Sequence, residues 1–156
     1  MKKSILLFAL FSMIVSCKSM RNKEKANVLN TENKNIVFEY EASTRGSFKK
    51  VIVKEDAILT TFERDGSKFS TQKMSKDTWK QLMTLVNEIE LEKMKSLKSP
   101  SNERASDRVP SGKLTIINQE KTFFSDFFDH GNPPPKIATL TNMIVDLADF
   151  EKETLD

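Results

Sequence analysis

The segment SDFFDHGNPPP, residues 125–135, holds the chain's only histidine, His130, together with Asp126, Asp129 and three consecutive prolines. One imidazole and two carboxylates form a donor set that zinc or another divalent ion accepts. The spacing works against such a site. Along a continuous strand Asp126 and His130 share a face while Asp129 points away, and no second histidine exists to complete a conventional ligand set. No metal and no cofactor are therefore expected. Nucleophilic catalysis meets the same shortage, because any Ser-His-Asp triad must draw on His130 and the chain carries no G-x-S-x-G elbow. The structural alternative is a rigid connector between a strand and a helix. Asp129 then caps turn N–H groups, Gly131 supplies a positive φ, and the prolines fix the chain ahead of the helix. Phe123, Phe124, Phe127 and Phe128 fall on both parities and would pin this corner to the core.

A second set of candidates lies in loops. Arg45 follows the first strand, and Asp107 and Arg108 sit in the long polar stretch 98–112, KSPSNERASDRVPSG. Loops at the end of a sheet can converge, so Arg45, Asp107 and Arg108 could meet Asp129 and His130 and bind an anionic or polar group bidentately. A solvated surface pair is the competing expectation. These five residues form the candidate binding set, with no catalytic residue assigned.

The elements that position them follow from periodicity. Ile36, Phe38, Tyr40 and Ala42 alternate with polar neighbours, which predicts a half-buried strand. FKKVIVK (48–54) and AILTTFE (57–63) predict two more, joined at Glu55-Asp56, and Asp65-Gly66 is a hairpin signal before a fourth strand over 68–72. The period then changes. Ser75 can cap a helix whose apolar stripe is Trp79, Leu82, Met83, Val86 and Ile89. Leu91, Met94 and Leu97 extend it. A hairpin over 113–118 and 121–125 follows. Pro134 or Pro135 fits the first turn of a last helix with Ile137, Leu140, Thr141, Ile144, Leu147 and Ala148 buried. The order ββββ-α-ββ-α predicts an α+β fold, an antiparallel sheet of about five to six strands with two helices packed on one face.

Composition narrows the partners. The 156 residues carry 25 Lys+Arg against 22 Asp+Glu. The excess sits in Lys2 and Lys3 and in residues 18–34, so that 35–156 is slightly acidic. Nucleic acid is not an expected partner of such a body. Cys17 is the only cysteine, which leaves no disulfide and no cysteine-based catalysis for the domain.

The N-terminus, MKKSILLFALFSMIVSC, has a basic start and an apolar run too short to span a bilayer, the pattern of a secretory signal peptide. Ile14-Val15-Ser16-Cys17 resembles the lipobox of bacterial lipoproteins. The resemblance covers residues 1–17 and implies cleavage after Ser16 and diacylation of the Cys17 thiol, with two or more acyl chains giving stable membrane attachment. Lys18, where an Asp would favour inner-membrane retention in that family, implies the outer membrane. The layout of the remainder resembles small α+β envelope lipoproteins, and that likeness transfers no activity.

The expected organisation is a signal peptide at 1–16, a lipidated cysteine and polar tether at 17–34, and a single α+β domain at 35–156. The expected function is that of a lipid-anchored, cell-envelope binding or adaptor domain that is not an enzyme, its partner an envelope protein or a small ligand. Two other readings compete with it. One is a ligand-binding protein or hydrolase using the His130/Asp129 corner; the other is an inhibitor or immunity lipoprotein.

Overall fold

The computed structural model describes residues 35–148 and residue 150. The expected signal peptide, lipidated Cys17 and tether lie outside the described residues.

Four strands come first: β1 (Ile36–Ser43), β2 (Phe48–Val53), β3 (Ala57–Thr61) and β4 (Ser70–Lys73). Each β1 residue on the apolar parity is buried while its neighbours are half-exposed, as the alternation requires. Turns make the meander, the first two of them short and the third set in the connection 62–69. Thr44 closes the first, its hydroxyl accepting from the Gly46 and Ser47 amides. Lys54 N–H bonds to the Ala57 carbonyl across Glu55-Asp56, and Gly66 adopts φ +67° in the third turn.

Helix α1 (Lys76–Asn87) begins where Ser75 Oγ accepts the Thr78 amide at 3.0 Å. A 3₁₀ turn over Leu91–Ser96 follows and buries Met94. The stretch expected to be a loop contains a second 3₁₀ turn, Glu103–Ser106. Then come β5 (Ser111–Asn118), β6 (Lys121–Phe124), the two-residue β7 (Phe128–Asp129) and helix α2 (Ala138–Leu147).

The sheet is antiparallel, with order β4-β3-β2-β1-β5-β6. Strand β7 pairs with the other end of β5, opposite Ser111 and Gly112. The expected α+β architecture is therefore present, with β1 and β5 at its centre through eight paired positions. The core lies on one face. Phe38, Tyr40, Val51, Leu114 and Ile116 from the strands pack with Leu82 and Val86 of α1 and Leu140 and Ile144 of α2. Trp79 meets Phe38 edge to face, ring centroids 5.7 Å apart.

Two local departures from expectation bear on the site. Helix α2 starts at Ala138, not at Pro134 or Pro135. The prolines instead open a turn in which Ile137 N–H bonds to Pro134 C=O and Ala138 N–H to Pro135 C=O. Second, the last hairpin strand stops at Phe124, because Ser125 makes a notch. Its amide donates to Leu114 C=O at 2.9 Å, and its buried hydroxyl, in place of a backbone carbonyl, accepts from Leu114 N–H at 3.1 Å. A side chain completes the ladder there, and the chain is free to turn before rejoining β5 as β7.

Candidate functional site

That second pairing sets the directions of Phe128, Asp129 and His130. Phe128 enters the core beside Tyr40 (ring centroids 6.2 Å apart), and His130 follows on the same parity, its ring centroid 5.9 Å from that of Tyr40. Its backbone N–H bonds to Pro110 C=O at 2.9 Å. Asp129 lies between them on the opposite parity and is 3% exposed.

Asp129 is met by four donors. Oδ2 accepts from Ser101 Oγ at 2.5 Å and from the Glu103 amide at 2.7 Å. Oδ1 accepts from the Arg104 amide at 3.0 Å and from Arg104 Nη1 at 3.1 Å. Burial by itself raises the pKa of this carboxyl. The hydrogen bonds from Ser101, from the Arg104 and Glu103 amides and from the Arg104 guanidinium outweigh it and hold the group well below the usual carboxylate range. A carboxylate offers about four lone-pair sites, so these donors leave it no capacity as a metal ligand or general base. Asn132 adds to the same network, its side-chain amide donating to Ser101 Oγ at 2.8 Å. Asp129 is thus the anchor of the long loop, satisfying the first N–H groups of its 3₁₀ turn.

His130 Nδ1 lies 2.7 Å from the Tyr40 hydroxyl. Burial pushes the Tyr40 phenol well above its ordinary pKa and keeps it protonated, able to donate to or accept from the ring nitrogen. Which partner donates follows the imidazole tautomer, and either neutral tautomer completes the bond. Burial first, and the Lys49 charge second, lower the His130 pKa and favour that neutral form. Nδ1 is spent on Tyr40 in either tautomer. Gly112 makes room for this contact, since a Cβ there would stand 2.7 Å from the Tyr40 hydroxyl and 3.0 Å from the Phe128 ring.

The other candidates lie elsewhere. Arg45 and Asp107 meet only at 3.9 Å on the surface, their side chains 95% and 63% exposed. Asp107 adopts φ +54° where the 3₁₀ turn ends. Arg108 is exposed, its amide bonded to Glu103 C=O at 3.3 Å. The loop arginine that reaches Asp129 is Arg104, which sequence reasoning passed over. Its guanidinium also donates to Ser101 C=O at 3.0 Å. The local signal was Ser101-Asn102 opening a turn, but the acceptor is 25 residues away along the chain. Among the described residues no three His, Cys, Asp or Glu side chains gather as a metal site.

Beside this network opens a groove of about 310 Å³, between the 95–104 segment and Asp126-Phe127. Arg104 and Ser101 belong to both. Phe127, expected to pin the corner to the core, is instead 48% exposed on the groove's rim. Its amide is held by the Asp126 carboxylate at 2.9 Å, which fixes the turn that carries it outward. Phe124 next to it is flanked by the ammonium groups of Lys95 and Lys113, 5.3 and 4.7 Å from the ring centroid, and Lys113 also lies 5.6 Å from the Phe127 ring.

The chain matches no protein-family model and no curated protein.

Proposed function

We propose that this chain is a noncatalytic binding domain of the cell envelope, attached to a membrane through lipid on Cys17. The observation that carries the binding half is the division of labour at the corner. Asp129 and His130, the groups best suited to acid–base chemistry, are engaged with Arg104, Ser101 and Tyr40, whereas the adjoining groove with Phe127 is open to a ligand. A general base needs a lone pair within reach of its proton, and the Asp129 oxygens and His130 Nδ1 are already hydrogen-bonded within the protein. The anchoring half is supported by the lipobox Ile14-Val15-Ser16-Cys17.

The two halves are tested separately. In cells fed a labelled fatty acid, the protein should take up label and fractionate with membranes, and Cys17→Ala should do neither. Membrane retention of that variant sinks the anchor. His130→Gln keeps a hydrogen-bonding partner for the Tyr40 hydroxyl but removes the imidazole. If this variant folds yet fails to complement a deletion strain, the noncatalytic reading is wrong.

A further inference from the structure

On the reading of the domain as a noncatalytic binder, we propose that the groove between residues 95–104 and Asp126-Phe127 is a subsite for an acidic saccharide. One face of a pyranose ring would rest on Phe127, and its anionic substituent would lie toward Lys95 and Lys98.

The lining selects the ligand. About 310 Å³ is the lower end of the range for a small-molecule site. Its walls are mostly polar, with Leu97 and Phe127 as the apolar members. That suits a polar ligand with a single apolar face. A pyranose has such a face, and its axial C–H groups carry the partial positive charge that the negative face of an aromatic ring attracts. Phe127 is available for this because the Asp126 turn holds it outward.

Charge sets the substituent. Lys95 and Lys98 line the groove, Lys113 stands beside Phe127, and Arg104 is already committed to Asp129. Against these lysines the lining sets one carboxylate, Asp126, which already accepts the Phe127 amide. A carboxylate, phosphate or sulfate on the sugar is therefore attracted, and Asp126 and Asn102 remain as partners for hydroxyls. An acidic peptide is a poorer fit, because its apolar side chains find no deep pocket and its backbone presents no flat apolar ring face to Phe127. A lipid surface is poorer still, since the site is concave and polar. The wall bearing Ser101 and Arg104 is the part tied down by Asp129, so little ordering is required on binding.

The test is titration of the full-length protein in detergent with hexagalacturonate, with cellohexaose as the neutral probe and hexaglutamate as the acidic peptide. Hexagalacturonate is expected to bind at least about tenfold more tightly than either. Phe127→Ala and Lys98→Glu, both at exposed positions, should each weaken it about tenfold or more without lowering the melting temperature, and added salt should weaken it as well. Binding that both variants leave unchanged overturns the proposal. Equal or tighter binding of hexaglutamate overturns it in favour of a peptide groove and leaves the binding-domain reading intact. If none of the probes binds, the saccharide site is overturned, while the complementation test on His130→Gln still judges the broader reading on its own.

Discussion

The Tyr40 hydroxyl and His130 Nδ1 are hydrogen-bonded across 2.7 Å, although ninety positions separate the two residues in the chain. The bond ties the central strand β1 to the corner that precedes α2. It is formed where β7 brings Phe128 and His130 against the core, and its stability depends on the charge of the imidazole, whose surroundings favour the neutral form.

That dependence has a sign. The folded state lowers the His130 pKa, through burial and then through Lys49, so the unfolded chain takes up this proton more readily. The stabilisation is present above the unfolded value of about 6.5 and is lost as the pH falls below it toward the folded value. The urea midpoint should therefore drop between pH 7.5 and 5.5, and His130→Gln should flatten that drop. An identical slope in the variant would show that another group is responsible.

Asp129 acts further down the pH scale. Its folded pKa is also depressed, so its contribution is complete above the ordinary carboxylate value of about 3.9 and is lost as the pH falls below it. Asp129→Asn retains one acceptor oxygen for four donors. This variant should melt lower at neutral pH and should expose Lys98, Arg104 and Arg108 to trypsin. Arg45→Ala, which removes a surface pair, should change stability by less than about 0.5 kcal/mol. Equal effects of the two variants would mean that the Asp129 network does not hold the loop.

Gly112→Ala places a methyl group against Tyr40 and Phe128. The overpacking should cost about 1–3 kcal/mol and displace the hydroxyl from His130. In a cycle with Tyr40→Phe the two losses should be less than additive. Full additivity would place the strain somewhere other than this contact.

Ser125→Ala removes the acceptor for the Leu114 amide in the interior of the sheet. An unsatisfied buried donor costs about 1–3 kcal/mol. Amide exchange at Leu114 should accelerate more than at Ile116, whose strand pairs through Phe38 and Phe123. Unchanged exchange at Leu114 would mean that the serine hydroxyl carries none of the ladder.

The elements were legible where a few neighbouring residues decide them. The alternation at 36–42, Asp65-Gly66 and the Ser75 cap each act within one turn or one strand, and each is where periodicity and turn chemistry put it. What was not legible depends on contacts distant in sequence. Nothing near Asp129 points to Arg104, since the pairing follows from β7 docking on β5. Asp107 and Arg108 were favoured over Arg104 because composition marks the loop without saying which arginine its turn aims inward. The helix start was misplaced because Pro134 and Pro135 suit a first helical turn and a preceding turn equally, and the buried Ile137 decides between them. Phe127 was assigned to the core because four phenylalanines in six residues look alike until the Ser125 notch sets their directions.

The Ser125 notch also shapes the border of the sheet. It divides what would have been one long outer strand into β6, of four residues, and β7, of two. The opposite border, β4, is four residues long and carries polar and charged side chains. A neighbouring chain seeking to extend the sheet by backbone pairing meets only short, interrupted templates, the arrangement that keeps β proteins from stacking edge to edge. One serine hydroxyl in place of a carbonyl thus helps keep crowded copies of this sheet from fusing.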